Sequence, residues 1–223
     1  MKLALFDLDG TLIPKDSDHA FGEFIVALGW ADGDTFRRRN DAFYDDYLAG
    51  RLDIDAYVDF ATAPWRDRPA PELAKAAAQF LDIVVRPMLH AEALALVQCH
   101  QDAGDLVAVV TATNDFVTRP IARLFGVDEL IATDLQRDAA GRITGLIEGV
   151  PSFREGKVTR VQHWLAARGL ALHDFESSTF YSDSTNDLPL LERVSAPVAT
   201  NPGPALERIA QARGWPVLKL FTP

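Results

Sequence analysis

Six short apolar runs, each bounded by turn-forming residues, constrain the fold of this 223-residue chain more than any other feature of its sequence. They lie at residues 3–6, 106–110, 130–132, 179–181, 197–199 and 217–220. Continuous apolar runs of this length are typical of strands that are buried on both faces of a parallel sheet. Helical patterns lie between them, at residues 88–102, 116–125, 157–167, 188–192 and 204–212. The alternation predicts an α/β fold with an open, mostly parallel sheet and helices on both faces.

The interval from residue 14 to residue 85 departs from this alternation. Its apolar residues recur at helical spacing, and no strand-like run of similar quality interrupts them. Glycines and prolines divide it into four predicted helices, with breakers at Gly29, Gly33, Gly50, Pro64, Pro69 and Pro71. We therefore expect an α/β core of residues 1–13 and 86–223 and an inserted helical cap of residues 14–85. A short turn at residues 139–142 also predicts a small β-hairpin.

Two carboxylates follow the first apolar run directly, in the segment Asp-Leu-Asp-Gly-Thr at residues 7–11. Residues two apart in an extended chain point to the same side, so Asp7 and Asp9 face one place. Gly10 then lets the chain turn without a side chain in the way. Ligands of open α/β sheets bind beyond the carboxyl ends of the strands, where this pair lies. Two acids in a partly dry crevice need a cation or a proton between them, so the motif favours chemistry over a solvated loop.

A second acidic cluster follows the apolar run at residues 179–181. Asp183 and Asp187 are four residues apart, and Asn186 lies beside them. Hard oxygen ligands of this kind suit Mg²⁺, which binds through a few carboxylates and keeps water and substrate phosphate as its other ligands. A helix N-cap explains Asp187 as well, so this cluster by itself leaves both interpretations open.

Groups that suit a phosphate lie between the two acidic clusters. Thr111, Ala112, Thr113 and Asn114 end the most strand-like run and precede a predicted helix, whose N-terminus is a ready anion site. Lys157 begins another predicted helix, where a positive charge is unfavourable for the helix dipole. An exposed surface position is the alternative for this lysine. Only the presence of the acids and hydroxyls elsewhere in the chain favours a functional role for it.

These four pieces, in this order, resemble the haloacid dehalogenase superfamily, and most closely its phosphoserine-phosphatase-like branch. The opening Asp-x-Asp-Gly-Thr is a specific signal, and the resemblance covers the whole chain, because this branch has a Rossmann-like core with a helical cap after the first strand. The resemblance implies a Mg²⁺-dependent phosphatase that acts on a small phosphorylated metabolite through an aspartyl-phosphate intermediate. Dehalogenases of the superfamily lack an acid two residues after the nucleophile, whereas this chain has Asp9 there.

The resemblance also implies a role for each residue that matches the motifs. Asp7 would be the nucleophile, and Asp9 the general acid for the leaving group and then the base for the attacking water. Lys157 would compensate the charge of the transferred phosphoryl group. The implied Mg²⁺ ligands are Asp7, Asp183 and the backbone carbonyl of Asp9.

The remaining matches concern the phosphate and its surroundings. Thr111 and Ala112 would bind the transferred phosphoryl group, and Asn186 would support it. Asp187 would hold Lys157 in place. Positioning and charge stabilisation dominate phosphoryl transfer, so one metal ion, one lysine and several donors are the parts expected for it.

Departures from the family pattern concern the substrate. Phosphoserine phosphatases carry a Glu nine residues after the nucleophile for the substrate amine, and this chain has Asp16 there, with Asp18 nearby. Their cap Arg, which holds the substrate carboxylate, has only candidates here, of which Arg51 is one. The segments Thr-Ala-Thr-Asn and Arg-Glu-Gly-Lys look like those of bacterial relatives assigned as histidinol-phosphate phosphatases. An amino-alcohol phosphate has no carboxylate, so a missing Arg suits histidinol phosphate, and phosphoserine stays as the other candidate.

A protein of another class is the main alternative. A signalling receiver accepts phosphate on an Asp without hydrolysing free metabolites, and an inactive relative would only bind phosphorylated ligands. Receivers are shorter and have no cap, and the complete set of acids argues against an inactive relative. The sequence therefore favours the enzyme.

Composition excludes other classes of partner. The 22 Lys and Arg against 32 Asp and Glu give a net charge of −10, which disfavours nucleic acid and anionic membrane surfaces as partners. One cysteine, Cys99, cannot form an internal disulfide, and its apolar helical pattern predicts core packing. The acid at Asp7 comes too early for a signal peptide, so we expect a cytoplasmic protein. No pattern indicates an oligomeric state.

Aromatic residues are frequent in the predicted cap. The set is Phe21, Phe24, Trp30, Phe43, Tyr44 and Tyr47. We expect them to form the small core of the cap rather than a wall against the substrate.

Overall fold

The computed structural model describes residues 1–221, which contain eight strands and nine α-helices. The strands are β1 (Leu3–Phe6), β2 (Leu106–Asn114), β3 (Leu130–Thr133), β4 (Leu135–Arg137), β5 (Ile143–Ile147), β6 (Ser178–Ser182), β7 (Ala196–Thr200) and β8 (Val217–Leu218). The helices are α1 (Ser17–Ala27), α2 (Gly33–Leu48), α3 (Ile54–Thr62), α4 (Ala70–Phe80), α5 (Ala91–Asp102), α6 (Asp115–Leu124), α7 (Glu155–Ala166), α8 (Leu188–Leu191) and α9 (Pro204–Arg213).

Six of the strands form one parallel sheet in the order β3-β2-β1-β6-β7-β8. The first strand is central, with Leu5 beside Ala108 of β2 on one side and Phe180 of β6 on the other. The carboxyl ends of β2, β1 and β6 therefore meet at one edge. The predicted α/β fold with an open parallel sheet is confirmed.

The apolar runs are continuous because each central strand is buried on both faces. In β1, Ala4 and Phe6 face a layer that includes α5 and α6, whereas Leu3 and Leu5 face α7, α8 and α9. All four of these side chains are at most 1% exposed. Burial of each larger side chain contributes about 1.5–3 kcal/mol, which outweighs the loss of its freedom in the sheet.

The segment from residue 14 to residue 85 is helical, as the sequence predicts, and it contains α1–α4 without a strand. A π-helical turn (Leu81–Val85) and a 3₁₀ turn (Arg86–Met88) lead from it to α5. The segment is not separated from the sheet by a solvent gap, because Phe21 and Trp65 share one hydrophobic cluster with Phe6 and Val109. None of the helices within residues 1–221 combines the length and the apolar character that a membrane crossing requires.

Capping explains several helix starts. The Asp16 side chain accepts a hydrogen bond from the backbone N–H of His19 at 2.7 Å, which begins α1. The Asn114 Oδ1 atom accepts from the backbone N–H of Val117 at 3.1 Å, which begins α6 directly at the end of β2. Strand and helix are therefore joined without a loop at this point.

The hairpin predicted around residues 139–142 is present as the antiparallel pair β4 and β5. Several boundaries differ from the predicted ones, and β2 differs most, because it continues to Asn114 rather than ending at residue 110. Helix α5 begins at Ala91 rather than at residue 88, because His90 is extended after the 3₁₀ turn. Strand β8 ends at Leu218 rather than at residue 220, because the backbone N–H groups of Leu220 and Phe221 donate to Asn201 Oδ1.

The expectation that Cys99 packs in the core is wrong. Its side chain is exposed, because α5 buries Ala93 and Val97 against the sheet and Cys99 lies on another side of the helix. The apolar content of α5 is spread around the helix, so its pattern did not specify one buried face.

Replacing Trp65 tests the contact between the helical segment and the sheet layer. Trp65 is 1% exposed, donates its indole N–H to the Ala61 carbonyl at 2.7 Å, and stacks on Phe116 of α6 with ring centroids 4.6 Å apart. We expect Trp65→Ala to lower the free energy of unfolding by about 3–5 kcal/mol, because it leaves a cavity between the two parts. Urea denaturation measures this. The matched control, Ile83→Ala at a 65% exposed position, should change stability by less than about 0.5 kcal/mol. Equal stability of the two variants would contradict the contact.

Candidate active site

The candidate site lies at the edge where β2, β1 and β6 end. Asp7 follows β1, residues 111–114 end β2, and Asp183 follows β6. Because these three strands are adjacent and parallel, residues from distant parts of the sequence come together there.

Lys157 is the positive centre of this edge. Its ammonium donates to Asp7 Oδ1 at 2.8 Å and lies 2.7 Å from Asp187 Oδ1. Lys157 is 1% exposed, so the alternative interpretation of a surface lysine is excluded. Ser182 donates its hydroxyl to Asp187 Oδ2 at 2.7 Å and thereby fixes the second carboxylate.

The charges of Lys157, Asp7 and Asp187 affect one another's pKa values. Burial lowers the pKa of Lys157, but the carboxylates of Asp187 and Asp7 outweigh burial and raise it above its ordinary value. Burial raises the pKa of Asp7 to about 7; the ammonium of Lys157 opposes this, and the charge of Asp187 adds to it. Lys157 is therefore held charged, and it is what keeps the Asp7 carboxylate available as an anion.

Asp9 lies beside Asp7 in a different environment. Its Oδ1 accepts from the backbone N–H of Ser17 at 2.8 Å, and its Oδ2 accepts from the Thr113 hydroxyl at 2.9 Å. Burial, followed by the charge of Asp16, raises the pKa of Asp9 to about 7. A carboxyl with this pKa can give or take a proton near neutral pH, and the Thr113 hydroxyl can accept a hydrogen bond from its protonated form.

Asp183 approaches the first strand from β6. The Thr11 hydroxyl lies between the two acids, 3.3 Å from Asp7 Oδ2 and 3.4 Å from Asp183 Oδ1. Gly10 has a φ of 75°, and a Cβ atom there would collide with the Asp183 carboxylate. The glycine of the motif is thus required both for the turn and for the close approach of this acid.

The acids at this edge are not balanced by protein cations. The Lys157 ammonium pairs with Asp7 and Asp187 but not with Asp183, and burial together with the charges of Asp7 and Asp187 raises the pKa of Asp183 well above its ordinary value. Within residues 1–221, no three His, Cys, Asp or Glu side chains converge as a metal cage. The carboxylates of Asp7 and Asp183, which the Thr11 hydroxyl links, still fit a hard divalent cation, which binds few protein ligands.

The expected phosphate groups lie at the end of β2. Thr111 and Ala112 line a cavity that also contains Asp7 and Asp9. Asn186, in contrast, donates its amide N–H to the Tyr47 carbonyl at 2.9 Å, so in this structure it binds the helical segment.

The cavity lies between this edge and the helical segment. It is narrow, with a volume of about 40 Å³, and it adjoins a wider cleft of about 500 Å³. Phe43, Tyr44, Tyr47 and Tyr57 of the helical segment line it. The expectation of a core position rather than a wall is therefore wrong for Phe43, Tyr44 and Tyr47. It is correct for Phe21 and Phe24, which are buried in the hydrophobic cluster, and for Trp30, which packs against that cluster.

The three expected substrate contacts have different positions. Asp16 and Asp18 both line the cavity. Burial, followed by the charge of Asp9, raises the pKa of Asp18 to about 7. Arg51 is not among the lining residues; it pairs with Asp46 at 2.7 Å, and its side chain is 66% exposed.

Tyr57 and Asn40, which reach the cavity from α3 and α2, were not identified as site residues from the sequence. No local pattern in α2 or α3 distinguishes a cavity wall from a core face. Thr113 was expected among the groups that suit a phosphate, and its hydroxyl donates to Asp9 instead.

The fold and these side chains define an α/β protein with an acid-rich site at the carboxyl edge of a parallel sheet. Residues 4–192 match the family of haloacid dehalogenase-like hydrolases, and the chain belongs to that family. The resemblance inferred from the motifs is thereby confirmed.

Three relatives illustrate the similarity. A histidinol-phosphatase of Neisseria meningitidis serogroup C (strain 8013) is 45% identical over 216 residues, which cover 97% of each chain. The crystal structure of a protein with unknown function from Bordetella pertussis Tohama I is 53% identical, with a TM-score of 0.93 and 99% of each chain covered. A substrate-bound phosphoserine phosphatase shares the fold at 19% identity, with a TM-score of 0.68 over 97% of this chain and 92% of the other.

Replacing Lys157 tests the electrostatics of the trio. Lys157→Met leaves two buried carboxylates without a cation, and we expect it to lower the free energy of unfolding by about 3–5 kcal/mol at pH 8 in the presence of a chelator. The loss should be smaller at pH 5, because acids whose pKa is raised in the folded state bind protons below that pKa and lose their repulsion. Urea denaturation at both pH values measures it.

The matched control for this variant is Lys75→Met, which removes an exposed lysine of α4. It should have little effect at either pH. If Lys157→Met costs the same at pH 5 and pH 8, the loss comes from packing and the electrostatic account is wrong.

Proposed function

We propose that this protein is a Mg²⁺-dependent phosphatase that hydrolyses a small-metabolite phosphomonoester through an aspartyl phosphate on Asp7. The observation that carries the proposal is the buried Lys157 ammonium between Asp7 and Asp187, beside the Asp9 carboxyl. Membership of a hydrolase family favours turnover over a receiver that only stores phosphate.

In the first step, a carboxylate oxygen of Asp7 attacks the phosphorus atom. The new oxygen–phosphorus bond forms as the ester bond between phosphorus and the substrate oxygen breaks, with its electron pair going to the leaving oxygen. Asp9 donates a proton to that oxygen, so that the product leaves as an alcohol. Asp9 suits this role because its pKa of about 7 keeps a large fraction protonated at neutral pH.

In the second step, the deprotonated Asp9 takes a proton from a water molecule whose oxygen attacks phosphorus. The bond between phosphorus and Asp7 breaks, inorganic phosphate leaves, and the Asp7 carboxylate is restored. Lys157 donates to Asp7 throughout and offsets the negative charge that develops beside it. Thr111 and Ala112, at the end of β2, would contact the transferred group, and their position in the cavity that Asp7 also lines supports this.

Asp7, Asp183 and the backbone carbonyl of Asp9 would hold the Mg²⁺ ion. When bound, the ion supplies positive charge that offsets the repulsion among these acids and that of the substrate phosphate. The raised pKa of Asp183 supports this, because this acid has no cationic partner of its own among residues 1–221.

The helical segment covers the site at the sheet edge. The Tyr47 carbonyl accepts from Asn186, and the Gly50 carbonyl accepts from Arg154 at 2.8 Å, so the end of α2 is fastened to the sheet edge. This enclosure excludes water from the site, which strengthens the electrostatic interactions there, and it limits access to small substrates. The wider cleft meets the narrow cavity at Asp9, Asp16, Tyr44 and Tyr47, so a small substrate can reach the site through it.

Histidinol phosphate is the first substrate to test, because the relative that is 45% identical over nearly the whole chain is a histidinol-phosphatase. Phosphoserine is the second candidate, supported by the family resemblance. A panel of phosphorylated metabolites that contains both compounds distinguishes them.

Removing the nucleophile tests the proposed reaction. With Mg²⁺, the purified protein should release phosphate from p-nitrophenyl phosphate, and Asp7→Asn should lower kcat by at least about 1,000-fold, because an amide does not attack phosphorus. The control Asp55→Asn changes an exposed acid of α3 and should keep its activity. Undiminished phosphate release by Asp7→Asn would exclude the mechanism.

Binding of the metal ion is testable without activity. We expect MgCl₂ to raise the thermal unfolding midpoint more at pH 8 than at pH 5.5, because protons bound to acids such as Asp7, with a pKa of about 7, compete with the ion at the lower pH. Asp183→Asn should reduce the shift, whereas Asp128→Asn, at a 91% exposed side chain, should preserve it. A shift that Asp183→Asn leaves intact would contradict the assigned ligands.

A further inference from the structure

Two carboxylates outside the catalytic set, those of Asp16 and Asp18, line the cavity, and they are not equivalent. The Asp16 side chain caps α1 by accepting from the backbone N–H of His19. Its position in sequence matches the family's amine-binding acid, but its carboxylate here serves the helix start. Asp18 has no capping role in the described structure.

Asp18 is held in a fixed position at the cavity wall. It is 8% exposed, and Asn114 Nδ2 donates to its Oδ1 at 3.1 Å. Because Asn114 Oδ1 already accepts from the backbone N–H of Val117, the Asn114 amide can only present its N–H₂ to Asp18. The Tyr57 hydroxyl interacts with the same carboxylate from α3.

This fixed carboxylate forms no ion pair with a Lys or Arg within residues 1–221. No Lys or Arg lines the cavity; His19 does, and its charge lowers the pKa of Asp18, but its ring is bonded to Asp41 at 2.8 Å. A buried carboxylate without an ion-pair partner is costly, so its position favours a ligand that brings a positive charge. Phe43, Tyr44 and Tyr47 add aromatic walls, which suit a cation as well.

We propose that Asp18, positioned by Asn114 and Tyr57, binds the ammonium group of the substrate and thereby selects phosphomonoesters of amino alcohols that lack a carboxylate. This inference rests on the proposed phosphatase function and names the specificity of the same site. A carboxylate on the substrate would meet Asp16 and Asp18 with no arginine to bind it, so phosphoserine is disfavoured relative to histidinol phosphate.

A matched pair of substrates tests the proposal. The pair is histidinol phosphate and its deamino analogue, 3-(imidazol-4-yl)propyl phosphate, which differ only in the amine. At pH 7.5 with Mg²⁺, we expect the wild-type protein to prefer histidinol phosphate by about 100-fold in kcat/KM, as for the loss of one partner of a buried charge pair. In Asp18→Asn, which keeps the size of the side chain, this preference should fall to about 3-fold or less.

The comparison variant is Asp16→Asn, whose preference for the amine should stay close to that of the wild type. Loss of the preference in Asp16→Asn but not in Asp18→Asn would overturn the assignment, and so would an unchanged preference in both. The wild-type comparison needs no variant, so it tests the claim even if Asp18→Asn does not fold.

The outcomes also separate this inference from the proposed function. Wild-type protein that hydrolyses both compounds at equal rates is a phosphatase, but its Asp18 does not bind an amine. Wild-type protein that releases phosphate from neither compound nor from p-nitrophenyl phosphate overturns the proposed function, and this inference with it.

Discussion

The Lys157 ammonium lies between the Asp7 and Asp187 carboxylates in a part of the protein that water does not reach. A buried cation of this kind is stable only where both partners and their hydrogen bonds are in place. The contact requires the first turn of α7 to lie at the carboxyl edge of the sheet and requires β1 to lie beside β6, from whose end Asp187 follows. The strand order and the position of α7 are therefore conditions for the chemistry, and the packed sheet layers hold that geometry.

The same constraint explains how an acidic protein can act on an anion. The chain has a net charge of −10, which repels a phosphomonoester at long range. Attraction must then be local, and the structure supplies it through Lys157, the start of α6 at Asn114 and an acid pair, Asp7 and Asp183, that fits a divalent cation. Beyond the phosphate, the Asp18 carboxylate at the cavity wall is the proposed binding site for a positively charged substrate group, whereas the Asp16 carboxylate caps α1.

The elements that depend on local periodicity could be predicted from the sequence. Strands buried on both faces give continuous apolar runs, and acids directly after such runs lie at the sheet edge, so the positions of Asp7, Asp9 and Asp183 followed from the pattern. Family resemblance supplied the role of Lys157, whose sequence context alone also suits a surface position.

What depends on the packing of the helical segment could not be predicted. The aromatic residues of α2 have similar spacing whether they face a core or a cavity, and only the docking of this helix makes Tyr47 a wall residue. The docking also gives Asn186 a partner in the Tyr47 carbonyl and leaves Arg51 with Asp46. The exposure of Cys99 has a similar cause. The apolar residues of α5 are spread around the helix, and only its packing on the sheet determines which of its faces is buried.

Rapid acid quench with a ³²P-labelled phosphomonoester detects the proposed covalent intermediate on Asp7. We expect ³²P to appear on the protein within the first turnover, hydroxylamine to release it as from an acyl phosphate, and peptide mapping to place it on Asp7. Formation of inorganic phosphate at the full rate with no protein-bound label on that timescale would exclude an aspartyl phosphate.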